Sequence, residues 1–494
     1  MKLLRFLAVA LAFIMLLSVV GCAPNDNTDG TNTDPESDPE TNPGSPFGTT
    51  PEEPTEPMTD PETDPETVPG TDPETVPGTD PETDPETNPE TNPETDPETQ
   101  PETQPETEPD KEPEEEPVDL FKKYQSNIVY GTGNNKMISS ENGSTEIATY
   151  RAVFEVQEYG EFEYSLFFSN NIDSSSGGFS TYRDMPTESY KILYAALRTT
   201  DNIKGLLNVS DPTELTFDGK KTKTVAPGET FWCDPVTFNV NRHDYLVFEW
   251  TVEYTKIPGT IIAQTYYAYK SDSYGDSLYL PMTTPTAGSA PMPDLIGCTR
   301  NNETRLTFIG DSITMGTGSG AYMNAFWVKQ IADQLGDGYS VWNLGLDSAR
   351  ADDVIKGTSF KEKLKHTDIL SICIGINDIA GGVYGKSDVG AKKIYESIAA
   401  IAQMAEDAGA KVIIFSVPPF NLTGIKKDKW DIVNLNLKML AEEKGYDFFD
   451  FAAVLGHPDN PDRCQYGDHP NKIGCTAVAE AFMDSGILEP VFKD

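Results

Sequence analysis

From residue 23 to about residue 118 a proline falls at nearly every fourth position, in units such as Thr79-Asp80-Pro81-Glu82 and Thr91-Asn92-Pro93-Glu94. Proline lacks an amide hydrogen and has a locked φ, so this rhythm disfavours both helix interiors and sheet ladders. Aliphatic and aromatic side chains are almost missing from the tract, and its carboxylates repel one another. Such a chain cannot bury enough apolar surface to offset the entropy of ordering, so residues 23–118 read as an extended, disordered linker. At roughly 3.1 Å per residue in polyproline II geometry, the linker reaches at most about 300 Å. Whatever folds must therefore come from the residues after it. The tract also carries most of the formal net charge of −43, since residues 23–119 hold 32 Asp and Glu against Lys111 alone. The remainder is still acidic, which argues against nucleic acid and anionic headgroups as partners.

The N-terminus reads as a targeting device over residues 1–22. Lys2 and Arg5 precede an apolar stretch, Phe6 to Val20, that is short for a bilayer span. Val19-Val20-Gly21-Cys22 resembles the lipobox of bacterial lipoproteins. The resemblance implies acylation of Cys22, membrane contact through that lipid anchor only, and a place on the bacterial cell surface. An ordinary signal peptide that happens to contain a cysteine is the other reading.

About 375 residues follow the linker, too many for one small core, and they change rhythm part-way. Residues 119–300 are rich in Tyr, Phe, Thr and Val, with polar turns. Leu215-Thr216-Phe217-Asp218-Gly219 reads as a strand entering a hairpin, Tyr245 to Trp250 as a strand, and Thr237 to Val240 as a half-buried strand. An antiparallel β-sandwich domain is expected there. In residues 301–494, apolar runs at 306–309, 340–344, 369–374, 411–417 and 446–451 alternate with helical stretches. In one of these, Ile394, Ile398, Ile401, Ala405 and Ala408 share a face. That alternation predicts an α/β fold, a three-layer αβα arrangement around a parallel sheet, with ligands bound beyond the C-terminal strand ends.

The chemistry gathers at those ends. The run Leu306 to Ile309 stops at Gly310-Asp311-Ser312 and continues as Ile313-Thr314-Met315-Gly316, which leaves a serine hydroxyl on a turn at the sheet's edge. Asn343 to Ser348 follow the second run, Gly375 to Asp378 the third, and His469-Pro470-Asn471 the last. Ser312 needs a base, and His469 can take its proton and return it to a leaving alcohol. His457 competes for that role but lacks the following Asn and Gly, while His243 and His366 read as structural. Asp311 and Asp378 read as residues that tie loops together through backbone hydrogen bonds.

Beyond Cys22 there are five cysteines, Cys233, Cys298, Cys373, Cys464 and Cys475, so full pairing within one chain is ruled out. Cys464 and Cys475 flank His469 and are read either as a loop-closing bridge or as two free thiols. No Cys-x-x-Cys, His-Glu-x-x-His or EF-hand spacing occurs, so neither a metal nor a cofactor is expected.

Gly310-Asp311-Ser312, Gly375-Ile376-Asn377-Asp378 and His469-Pro470-Asn471 with Gly474 resemble, in order, the blocks of the SGNH, or GDSL, hydrolase superfamily. The resemblance implies Ser312 as nucleophile and His469 as base. It further implies an oxyanion hole of the Ser312 backbone N–H, the Asn377 side-chain amide and a backbone N–H of the second block. By counting from Asn343, the second-block glycine falls at Ser348, with Gly345 as a rival. The aspartate usual three residues before the histidine is Tyr466 here, and Asp468 is adjacent to the histidine. A Ser–His dyad and a carboxylate from another loop both stay open. Leu215 to Gly219, Ala226-Pro227-Gly228 and Cys233-Asp234-Pro235-Val236 are similar to the β-domain that precedes the hydrolase domain in some secreted bacterial SGNH proteins. That likeness implies a companion domain that shapes the cleft or holds a glycan, with a purely structural spacer as the alternative. The function expected is a serine esterase removing acetyl or other short acyl groups from cell-wall or plant carbohydrate. Its partners would be an acylated carbohydrate or small ester substrate. A lipase-like or general acyl esterase is the rival, and a non-catalytic surface carbohydrate-binding protein is the alternative of another class.

Overall fold

The computed structural model describes residues 118–493 apart from 175–182, 207, 263–264, 276–282, 284–287, 301–303, 321–324, 381–388, 457–459 and 465–468. The leader, Cys22, the linker through residue 117, His457, Tyr466 and Asp468 lie outside the described residues.

Residues 125–298 are built from antiparallel pairs. One sheet runs in the order Gln125–Ser126, Leu295–Cys298, Gly160–Ser169, Thr230–Trp232, with Val236–Val240 also paired to Gly160–Ser169. A second runs Tyr267–Ser271, Glu146–Phe154, Tyr245–Tyr254, Tyr190–Thr200, Thr213–Glu214. Rings join the two: Phe168 of the first lies 5.5 Å from Trp250 and 6.2 Å from Phe248 of the second. The expected turn at Phe217 is present as a tight reversal with Asp218 and Gly219 at φ 52° and 74°. It is held by Asp234, whose carboxylate accepts from both of their amides and from the Thr216 hydroxyl. Tyr245–Tyr254 is buried along almost its whole length rather than on alternate residues. On its other face Glu249 forms a fully buried ion triad with Arg151 and Arg198, so that face is covered too.

The chain then switches to β/α alternation. The strands β1 (Thr304–Gly310), β2 (Tyr339–Gly345), β3 (Ile369–Cys373), β4 (Lys411–Phe415) and β5 (Asp447–Phe449) form one parallel sheet in the order β2-β1-β3-β4-β5. Each strand is an apolar run because a sheet covered on both faces has no wet side. Between them lie α1 (Ser312–Met315), α2 (Trp327–Leu335), α3 (Ala351–Lys356), α4 (Thr358–Leu364), α5 (Ile376–Ala380), α6 (Ala391–Asp407) and α7 (Ile425–Lys444), and after β5 come α8 (Phe451–Leu455) and α9 (Lys472–Asp484). The helices pack in two groups, α2 with α8 and α9, and α6 with α3, α4, α5 and α7, as helices on the two faces of one sheet must. Along α6, Ile394, Ile398, Ile401 and Ala405 form a buried stripe as the spacing predicted, whereas Ala408 is exposed because the helix ends at Asp407 and leaves it as the C-cap.

The described residues fall in one compact unit, and polar bonds tie its two halves together. The buried Arg300 guanidinium donates to the carbonyls of Ser126 and Tyr339, at 3.0 Å each, and to Glu158 at 3.0 Å. The Gln157 amide pairs with both backbone groups of Val341 on β2. The edge strand of the parallel sheet is therefore sealed by residues of the antiparallel part.

Candidate active site

The strand order changes direction at β1, so the turns after β1 and β3 diverge and leave a crevice at the C-terminal edge. Register places the three turns at one level, since Gly310 pairs with both Gly345 and Cys373. Ser312, Ser348 and Asn377 follow these residues by two, three and four positions.

The turn that lifts Ser312 is tight because residue 310 has no side chain. A Cβ on Gly310 would stand 2.0 Å from Thr314 Oγ1 and 2.5 Å from the Cys373 carbonyl. Asp311 then caps α1, its Oδ1 accepting from the Ile313 amide at 3.0 Å. Burial pushes the Asp311 carboxyl up to about 7. Asp378 is likewise raised, to about 6, chiefly by burial, and it accepts from the Ala351 amide at 3.0 Å. Both carboxylates tie loops through backbone bonds, as their turn context suggested.

Ser312 is 6% exposed, and its Oγ lies 2.8 Å from Nε2 of His469. A separation of 157 residues in sequence thus closes to hydrogen-bond distance. The companions of the histidine hold its loop. Asn471 caps α9 through the Gly474 amide at 3.1 Å and donates to the carbonyls of Asp462 and Cys464. A Cβ on Gly474 would stand 2.1 Å from the Arg463 carbonyl, so Gly474 lets the helix start close under that loop. Gly318 plays the same part above the imidazole, where an added Cβ would lie 2.7 Å from His469 Cβ. The Phe420 ring sits edge-on to His469 at 6.3 Å. Sequence reasoning passed over Gly318 and Phe420, although Phe420 lies just beyond β4 at the same sheet edge.

Of the two second-block positions, Gly345 has its amide bonded to Asn343 Oδ1 at 2.8 Å. Asn343 Nδ2 also reaches the Thr314 carbonyl at 3.0 Å, which locks this loop to α1. Ser348 adopts φ 60°, the left-handed region where glycine is at ease and a serine is strained by about 1 kcal/mol or more. The serine therefore stands in a backbone shape that suits the glycine expected from the block. The Asn377 amide donates to the Ala349 carbonyl at 3.1 Å, which fixes its carboxamide next to the Ser348 loop. Cys233, Cys298, Cys373, Cys464 and Cys475 form no disulfide, so Cys464 and Cys475 take the unbridged reading. His366 stacks on Phe121 at 4.2 Å and faces Asp119, away from this edge.

Ser348→Gly should raise stability by about 0.5–1 kcal/mol, because relief of strain exceeds the freedom gained by the unfolded chain. Thermal unfolding should shift upward by a degree or more while kcat is kept, since the backbone N–H survives. A tenfold loss of kcat would instead assign work to the Ser348 hydroxyl, which contacts Asp347.

A serine on the turn after the first strand, bonded to a histidine from the last loop, stands at the C-terminal edge of the parallel sheet of an α/β domain. Residues 308–477 match the GDSL-like Lipase/Acylhydrolase family, and this part of the chain is a GDSL hydrolase domain. No curated protein matches the chain. Similar solved structures include a lipolytic G-D-S-L family protein of Veillonella parvula, at 19% identity and TM-score 0.31, over 36% of this chain and 96% of that one. The acetylxylan esterase Axe2 of Geobacillus stearothermophilus is 22% identical at TM-score 0.32, over 37% of this chain and 94% of that one. A GDSL-like lipase of Bacteroides thetaiotaomicron is 20% identical at TM-score 0.30, over 37% and 88%.

Proposed function

We propose that the chain is a serine esterase that removes acetyl or similar short acyl groups from carbohydrate at a cell surface. One observation carries the reading: the Ser312 hydroxyl and His469 Nε2 stand 2.8 Å apart at the switch point of the parallel sheet. As Oγ attacks the ester carbonyl carbon, its proton passes to Nε2, and the carbonyl oxygen becomes an oxyanion. The Ser312 and Ser348 amides and the Asn377 carboxamide are the donors assigned to that charge, each worth roughly 3 kcal/mol where one donor is deleted. His469 returns the proton to the departing alkoxide and leaves an acyl-serine. Water then attacks the acyl carbon with His469 as base, which releases the acid and restores the hydroxyl. Ester and water become acid and alcohol, with no other reactant.

The carbohydrate preference rests on the linker and on the lipobox-like Val19-Val20-Gly21-Cys22. A lipid on Cys22 and an acidic spacer that repels anionic surfaces would hold the folded part out among polymers. Residues 119–300 are read as a β-sandwich companion to the hydrolase part. Acetate release from acetylated xylan, measured beside cleavage of short- and long-chain p-nitrophenyl esters, tests the substrate. Acetate release with preference for the two-carbon ester is expected. Preference for chains of eight carbons or more, without acetate release, would replace this reading with a lipase-like one.

A further inference from the structure

Behind the Ser312 turn lies a second layer contributed by the antiparallel part. Residues 130–135 (Tyr-Gly-Thr-Gly-Asn-Asn) are all buried. A Cβ on Gly131 would stand 3.0 Å from the Gly345 carbonyl and 3.5 Å from Met315 Cγ. One on Gly133 would stand 2.8 Å from Leu346 Cδ2. Asn135 Nδ2 points at Met315 Sδ, 3.9 Å away, and a Cβ on Gly316 would meet Thr265 Cγ2 at 2.7 Å. The segment thus touches the helix that begins at Ser312 and the strand end that leads into Ser348.

It is also anchored from the other side. Asn135 bonds Gly259 and Ile261 through its amide and its Oδ1. Asn134 donates to the Ser169 carbonyl and to Asp294 Oδ2, and its carbonyl accepts from the Asp173 amide. Asp173 and Asp294 in turn hold Lys363 Nζ of α4 at 2.6 and 2.7 Å. A frame therefore runs from α4 through the antiparallel part and back onto the nucleophile turn.

We infer that residues 130–135, with Thr265, are a positioning strap that sets where Ser312 stands relative to the Ser348 amide. The antiparallel part then belongs to the catalytic machinery and is not a detachable accessory. The inference rests on Ser312 acting as nucleophile. Its physical basis is that a small misplacement of reacting groups is costly, with 1 Å worth up to about a hundredfold in rate.

Gly131→Ala in the full chain tests it. The backbone of Gly131 is not left-handed, so the new methyl acts only by pressing the Gly345 carbonyl back by a few tenths of an ångström. On p-nitrophenyl acetate, kcat should fall about 5- to 20-fold, with KM within twofold of the parent. Hydrogen exchange should quicken in the peptide around residues 311–318 and stay unchanged in β4. Tyr254→Phe is the control, because it removes a hydroxyl that bonds Tyr150 and Glu146, neither of them a strap residue. It should lower the melting temperature and leave kcat alone. If Gly131→Ala does not fold, Thr265→Ser carries the test, since it deletes only the methyl that faces Gly316 and keeps the bond to the Ile262 carbonyl. Its kcat should fall about threefold with KM held. Parent kcat in the folded strap variant overturns the inference, and so does an equal kcat loss in Tyr254→Phe. A parent without Ser312-dependent hydrolysis removes the esterase reading instead, and the exchange comparison then still decides whether the strap restrains the turn.

Discussion

Ser312→Ala should lower the hydrolysis of p-nitrophenyl acetate by about 10⁴-fold or more, while the protein melts within a degree or two of the parent. The loss is large because the removed atom is the one that would form the acyl bond in the proposed reaction, and it is the hydroxyl that lies 2.8 Å from His469 Nε2. Stability is kept because the turn does not depend on that hydroxyl. Gly310, the Asp311 cap on the Ile313 amide and the Asn343 bond to the Thr314 carbonyl hold it. The oxyanion donors also remain, so a residual rate above that of buffer is expected. Initial rates and melting curves on the same preparations decide the matter. Identical rates in variant and parent on every ester would make the chain a surface binding protein with a hydrolase fold.

Lys363→Ala should cost about 3–5 kcal/mol of stability at neutral pH, the largest structural effect expected of a single substitution here. Lys363 is 3% exposed and bonds two carboxylates, Asp173 and Asp294, each about 1% exposed. Burial by itself would lower the Lys363 pKa, but the two carboxylates more than offset this and hold it above its ordinary value. Burial raises the Asp294 carboxyl to about 6, although Lys363 pulls it down. Without the ammonium, Asp294 loses the group that pulls its carboxyl down, so its folded-state pKa rises further. A carboxyl raised in the folded state contributes stability that is full below its unfolded value of about 4 and is lost as pH climbs through the folded one. The variant should therefore approach the parent near pH 4–5 and fall furthest behind it at pH 8. Urea midpoints across that range check the sign. A constant gap at all pH values would show that packing of the lysine stem, and not its charge, matters.

The parts of this molecule that were legible from residues alone share a short physical range. The strand runs at 306–309, 340–344 and 369–374 match β1, β2 and β3 within two residues at each end, because burial on both faces leaves an unbroken apolar run. Gly310-Asp311-Ser312 announced its turn because only glycine fits against the Cys373 carbonyl there. Tyr245 to Trp250 was readable as a strand, but neither its extension to Tyr254 nor its two-sided burial was, since a covering ion triad from Arg151 and Arg198 leaves no mark on the strand itself. Gly318 and Phe420 were missed for the same reason, as each matters only through its distance to His469.

By itself the sequence determined that parallel strands follow an antiparallel part, and that a serine hydroxyl is raised on the first β/α turn. Those outcomes follow from periodicity and the lack of a side chain at one glycine, both of which act within a few residues. Tertiary structure alone decided that His469 reaches Ser312, that Asn343 bonds the Thr314 carbonyl, and that Lys363 is pinned between Asp173 and Asp294. Most of these contacts join groups scores of residues apart, and the left-handed backbone at Ser348 is likewise imposed by its surroundings. Such features follow from how the layers close on one another, and no local pattern along the chain encodes that.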